Sequence, residues 1–144
     1  MTSIAFALIA AIAGAATVIQ SAANAGLAAR IGLAPALLVN TAIVLFGTLA
    51  FYFSRGPHQV FFAAGTPWTL YAGGVCGFLV ILSLAFVFPK IGAAVAIALV
   101  VLGQGAAALA IDHYGWMGMP VQPITAARVA GLLLVGGGIA LIRA

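Results

Sequence analysis

Residues 73–111 read GGVCGFLVILSLAFVFPKIGAAVAIALVVLGQGAAALAI. Lys90 is the only charged side chain in this stretch, and Pro89-Lys90-Ile91-Gly92 divides it into two apolar runs. Each run is about as long as the ~20 residues a helix needs to cross the hydrocarbon core of a bilayer. The pattern continues outward in both directions. Apolar runs end at Arg30, at Arg55, at Pro89 and Lys90, at Asp112 and at Arg143. The sequence therefore predicts five membrane-spanning helices, near 3–29, 35–54, 68–88, 92–111 and 124–142, in a single transmembrane domain covering 1–144. Arg128, near the start of the last run, is expected to snorkel to the headgroups.

The composition closes off the alternatives. Of 144 residues, 4% are charged and 66% hydrophobic, and the mean hydropathy is +1.33. A soluble domain carries about 25% charged residues, and disorder needs low hydrophobicity with high net charge. Five basic residues against one acid give a net charge of +4. The bases are dispersed and form no cluster able to neutralise a row of phosphates, which excludes nucleic-acid binding. Cys76 is the only cysteine and reads as a small buried hydrophobe. No His, Cys or carboxylate pair has metal-ligand spacing, and no glycine-rich phosphate loop is present. Neither a metal nor a cofactor is expected. The first run has a signal-peptide reading, with Ala23-Asn24-Ala25 as a cleavage site. No Lys or Arg precedes it and it is long for such a segment, so it is read as a retained span.

The links are mostly short. Residues 55–67, with Gly56-Pro57 and Thr66-Pro67, read as a connector on the membrane interface. Residues 112–125, with Gly115, Gly118, Pro120 and Pro123, break any continuous helix. Tyr52, Trp68, Tyr71, Tyr114 and Trp116 fall on one side and suit an aromatic belt. Arg30, Lys90 and Arg143 fall on one side of the membrane, and Arg55 and Arg128 on the other. Three against two is nearly no bias under the positive-inside rule. Both a fixed orientation and insertion in both orientations fit this count. Small residues at four-residue spacing, Ala10/Gly14, Gly73/Gly77 and Gly103/Ala107, with Gly136-Gly137-Gly138, predict close helix packing.

Polar residues at membrane depth are expensive and point to function. Thr17, Gln20, Ser21 and Asn24 follow i, i+3, i+4, i+7 and share one helix face, while the residues read as opposite, Val18, Ala22 and Ala25, are apolar. Asn40, Thr41, Thr48, Ser83 and Gln104 are further polar residues within spans. Gln20 and Asn24 are the leading candidates for substrate contacts, with Thr17, Asn40 and Gln104 behind them. Their uncharged groups donate and accept hydrogen bonds without a standing charge. No ionisable residue lies in the middle of any span. Asp112 and His113 sit at a membrane edge and are candidates for a gate or mouth. Ser21 and Ser83 have no acid or histidine at the same depth, so no catalytic constellation is expected.

Several segments in order resemble a known family. They are Gln20-xxx-Asn24-xx-Leu27, Phe46-Gly47-Thr48, Gly73-Gly74-xx-Gly77, Pro89-Lys90-Ile91-Gly92-Ala93, Gly103-Gln104, Ile111-Asp112-His113-Tyr114-Gly115, Arg128-xx-Gly131 and Gly136-xx-Ile139. Together they resemble the YdcZ-type proteins of the drug/metabolite transporter superfamily, five-helix half-size versions of ten-helix transporters, similar to the four-helix small multidrug resistance proteins. The resemblance implies a multi-pass protein of the bacterial inner (plasma) membrane, a homodimer or a pair with a related five-helix chain, and transport of a small-molecule substrate. The small multidrug resistance proteins carry a glutamate in their first helix, where this chain offers Gln20 and Asn24. That difference favours a neutral or zwitterionic metabolite over proton-coupled cation export. A non-transporting membrane scaffold and a lipid flippase are the competing readings.

Overall fold

The computed structural model describes residues 3–56 and 64–143; of the connector expected at 55–67, residues 57–63 lie outside the described part. Five α-helices follow one another: α1 (Ser3–Ile31), α2 (Leu33–Ser54), α3 (Gly73–Ile91), α4 (Ala93–Tyr114) and α5 (Ala126–Arg143). Short 3-10 turns at Trp68–Ala72 and Trp116–Gly118 precede α3 and follow α4. At about 1.5 Å per residue, the 22 residues of α2 and of α4 span about 33 Å, close to the ~30 Å hydrocarbon core. Among the described residues, four segments are long and apolar enough to cross a membrane: α1, α2, Trp68–Ile91 and α4. The apolar part of α5, Ala126–Ile142, is shorter than these. The chain is thus all-α, with four long candidate spans and a shorter fifth helix.

Helices α1, α3, α4 and α5 end beyond where the charge pattern predicted and α2 starts before it, while α3 and α5 start later. A single residue, Gly32, separates α1 from α2, with φ 92° and ψ 156°. That region of backbone space is essentially restricted to glycine. Its N–H donates to the Ala28 carbonyl at 2.9 Å, and its carbonyl accepts from the Ala36 N–H at 3.2 Å. One residue thereby ends one helix and starts the next with its own polar groups satisfied. Pro35 does not start α2 but sits in its first turn, where its missing N–H has no intrahelical partner to lose. Gly92, just before α4, takes nearly the same conformation, with φ 81° and ψ 154°. Pro89 lies inside the last turn of α3 rather than beyond its end. Gly115, left-handed at φ 64°, closes α4 by donating to the Ile111 carbonyl.

The chain divides into two compact units, Met1–Pro89 and Lys90–Ala144. In the first, α1 packs on α2. Ala25 of α1, expected opposite the polar face, is instead buried with Ser21, one turn before it, and Asn24, and Ala36 and Leu37 of α2 are buried too. In the second, α4 packs on α5. The close approach there falls at Gly105 and Gly136. A Cβ on Gly105 would stand 2.7 Å from Leu132, and one on Gly136 would stand 3.7 Å from Leu102. The glycines singled out by spacing, Gly14, Gly73, Gly77 and Gly103, have nothing within 4 Å of such a Cβ. Cys76, expected to be buried, is exposed. Phe46, Phe53 and Leu134 are each more than 70% exposed, as lipid-facing residues are.

Alanine at Gly32 or Gly92 forces a Cβ into a backbone region that L-residues avoid, at a cost of about 1–3 kcal/mol. Gly32→Ala and Gly92→Ala are expected to lower the thermal midpoint of the detergent-solubilised protein. Gly103→Ala, in open space on a regular helix, is expected to leave it unchanged or raise it. An equal loss at all three positions would contradict the corner assignment.

Candidate functional site

The polar face of α1 resolves into groups that satisfy themselves and groups that do not. Thr17 Oγ1 donates to the Ala13 carbonyl at 2.9 Å. Ser21 Oγ donates to the Thr17 carbonyl at 2.8 Å. Both hydroxyls are thus answered by their own helix, in the manner of Ser and Thr within helices. Thr48 of α2 does the same with the Val44 carbonyl at 2.8 Å. An amide has no such local outlet. Gln20 reaches across to α2, where its Nε2 donates to Asn40 Oδ1 at 3.1 Å. Ser21 and Asn24 are the buried polar residues beside this pair, 5% and 6% exposed.

The Gln20–Asn40 bond leaves Asn40 Nδ2 buried with no hydrogen-bond partner in the structure. An unanswered buried donor costs about 1–3 kcal/mol, and buried polar groups are rarely left so. Asn40 also borders a groove of about 250 Å³, with Thr41 and Val44 of α2 on one side and Gly74, Gly77 and Phe78 of α3 on the other. The absent side chains of Gly74 and Gly77 keep it open. Thr41 and Phe78 also line a larger groove of about 500 Å³, walled by Leu33, Leu37 and Leu38 of α2 and by Leu82 of α3. Among the described residues, no ionisable side chain lines either groove. Such a surface accommodates an apolar body and offers hydrogen bonds, but no charge. Of the sequence candidates, Gln20 and Asn40 come into contact, with Asn24 buried and Thr17 half-buried on the same α1 face. Gln104 is exposed on α4.

In the second unit, Asp112 and His113 are still part of α4. Arg128, expected to snorkel to the headgroups, is held against the end of α4. Its Nη2 donates to Asp112 Oδ2 at 2.7 Å and to Gln122 Oε1 at 3.0 Å, and its Nη1 donates to the Gln122 carbonyl at 3.1 Å. The Gln122 N–H donates in turn to the Asp112 carbonyl at 2.8 Å, and the Ile124 N–H to His113 Nδ1 at 3.4 Å. The connector is therefore clasped onto the end of α4. Thr125, whose Oγ1 accepts from the Arg128 N–H at 3.3 Å, caps the start of α5 two residues later than expected. Sequence reasoning named Asp112 and His113 but missed Arg128 and Gln122. The available signal was the chain's only acid facing a base across a Gly- and Pro-rich link. Among the described residues no three His, Cys, Asp or Glu side chains gather into a metal site.

A double-mutant cycle on Asp112→Asn and Arg128→Gln, read by thermal unfolding in detergent, should return a coupling of about 0.5–1 kcal/mol. Strictly additive losses would mean that the pair holds nothing.

Comparison with known proteins adds one finding. No curated protein and no solved structure matches the chain. Residues 5–141 match the family described as "Putative inner membrane exporter, YdcZ", nearly the whole of the five-helix array. The chain accordingly belongs to the YdcZ family of the drug/metabolite transporter superfamily, as a multi-pass protein of the inner membrane in a family described as exporters.

Proposed function

We propose that the chain is one half of a small-molecule exporter that works by alternating access around a polar site near the bilayer midplane. The observation that carries this reading is the amide pair Gln20–Asn40, with the unanswered Asn40 Nδ2 beside the groove between α2 and α3. Gln20, Asn24 and Asn40 contact the substrate, with Thr17 as a secondary contact. The substrate is a neutral or zwitterionic metabolite. This follows from the absence of any ionisable side chain in the grooves and from the engagement of the only acid, Asp112, by Arg128. Export of a cation in exchange for protons needs a carboxylate at the site, and this site holds none. The Asp112–Arg128 clasp gates one mouth.

In this reading α5 also crosses the membrane, its 18 residues covering about 27 Å. Five spans give a half-transporter that pairs with a second copy in the opposite orientation. The cation count of three against two supports this, as does the superfamily's construction from repeated halves. An antiparallel pair reproduces within a dimer the inverted symmetry common among transporters.

The test uses proteoliposomes loaded with a mixture of amino acids, sugars and nucleosides, and in parallel with tetraphenylphosphonium under an imposed pH gradient. Flux of at least one neutral or zwitterionic species is expected, with no pH-driven flux of the cation. Gln20→Ala and Asn24→Ala proteins that still insert and dimerise should lose at least tenfold in that flux. Unchanged kinetics in both variants would remove the site assignment. Tetraphenylphosphonium flux driven by the pH gradient would overturn the substrate class. Copurification with a stoichiometric larger partner and no flux alone would favour the scaffold reading.

A further inference from the structure

The two grooves beside α2 share Thr41 and Phe78 and so form one cleft within the first unit. At about 1.5 Å per residue, Asn40 stands about 10 Å and Val44 about 16 Å along α2 from its first residue, Leu33. The polar side chains of the cleft, Asn40 and Thr41, therefore lie at its deep end, toward the middle of the span. Its outer part, about 500 Å³, begins beside the corner at Gly32 and is walled there by Leu33, Ala34 and Leu37. This polarity is the reverse of a bilayer lipid's, whose headgroup stays at the surface while its chains point inward. A lipid chain in the cleft brings no hydrogen-bond acceptor to Asn40. What is unanswered at the deep end has one sign. Gln20 Nε2 donates to Asn40 Oδ1 at 3.1 Å, so the acceptor arm of the Asn40 amide is engaged. The donor arm, Nδ2, is buried without a partner. Asn40 as a whole is half-buried and its terminal torsion is soft, so a small turn brings Nδ2 to the cleft. A donor already stripped of water gains a bond from an acceptor instead of exchanging one with water.

We infer that the cleft binds an uncharged amphipath with its polar end innermost: a compact acceptor, such as a ketone, ester or amide carbonyl, at Asn40 Nδ2, and an apolar chain or ring lying outward along Leu33, Leu37 and Phe78. The inference rests on the transport reading and narrows its substrate class. A zwitterion would carry two full charges into a cleft where, among the described residues, no ionisable side chain answers them. A sugar would bring many hydroxyl groups to a place that offers one unanswered amide donor and the Thr41 hydroxyl. The volume suits the smaller guest. Small-molecule pockets run to about 300–1,000 Å³ and set a few placed polar groups among apolar walls. At the deep end, Gly74 and Gly77 leave the room for the acceptor. Neither has an atom within 4 Å of the place where a Cβ would stand, so a larger side chain there fills the cleft without displacing a neighbour.

The test uses the full chain in phospholipid nanodiscs and a photoreactive probe, butylbenzophenone, which joins an apolar body to one carbonyl acceptor and cross-links where that carbonyl sits. Saturable cross-links are expected on α2 around Asn40 and Thr41 and on α3 around Phe78, read by peptide mass spectrometry. Methyl octyl ketone should displace them at concentrations at least tenfold below those needed of decane, which lacks an acceptor, or of decyltrimethylammonium, which carries a charge. Asn40→Leu removes the donor and Gly77→Leu fills the deep end, and each should reduce the saturable cross-linking at least tenfold. Gly77→Leu sits on an exposed face of α3, so it decides the matter even where Asn40→Leu fails to fold. Equal displacement by decane would overturn the inference by showing a cleft that selects for apolar bulk alone, and stronger displacement by decyltrimethylammonium would overturn the uncharged class. Unchanged cross-linking in Gly77→Leu would overturn the site. Flux of sugars or amino acids through a protein with no saturable ketone site would overturn this inference and leave the transport reading standing. The ketone-over-decane contrast in a protein that moves nothing in proteoliposomes would defeat the transport reading alone and support the cleft as a binding site.

Discussion

Hydrocarbon offers no hydrogen-bond partner, so each polar group at membrane depth has to be answered inside the protein. The fold is a set of solutions to that requirement. Backbone groups are satisfied within long helices. Where the chain turns between α1 and α2, Gly32 closes one helix and opens the next in a single residue, which leaves no loop to solvate. Thr17, Ser21 and Thr48 return their hydroxyl protons to carbonyls one turn back. What cannot be answered locally is an amide with two donors and an acceptor. Gln20 and Asn40 answer each other in part, and the remainder, Asn40 Nδ2, is where the protein leaves a donor unpartnered.

The same requirement explains how the charges are placed. Arg30, Arg55 and Lys90 stand at or just beyond helix ends. Asp112 and Arg128, the charged residues most nearly inside helices, are held against each other and against Gln122 at the end of α4. An ion pair only 31% exposed on each side is held by its geometry more than by bare attraction, since partly solvated pairs contribute little on their own. Confining charge to the ends leaves the grooves beside α2 with amide and hydroxyl chemistry alone, and this links the architecture to the substrate class.

Much of this was legible in the sequence. The apolar runs located all five helices, because lipid imposes one length and one polarity on a span. The i, i+3, i+4, i+7 spacing placed Thr17, Gln20, Ser21 and Asn24 on one face, because helical periodicity is a local property. Helix ends were less legible. Pro35 and Pro89 look like breakers, yet Pro35 falls in the first turn of α2, where a proline costs little, and Pro89 falls in the last turn of α3, where it gives up the bond an N–H would make to the Ala85 carbonyl. Thr125 shifts the start of α5 by capping it. Interhelical register was not legible at all. Nothing in the spacing of Gln20 or Asn40 says that the two meet. Nothing distinguishes Gly105, which has Leu132 against it, from Gly103, which has open space. Arg128 was read as a lone base because its partner is 16 residues away, beyond any helical period.

The account as a whole depends on the chain being half of a transporter completed by an oppositely oriented copy, so that the polar faces of two α1 helices enclose one site. The most direct measurement is the membrane side of the carboxyl terminus, next to Arg143, read with paired fusions to one reporter active only in the cytoplasm and one active only outside it. Strong signal from both reporters is the result this account predicts. Strong signal from one alone would fix the orientation, rule out an antiparallel pair of identical chains and contradict the account.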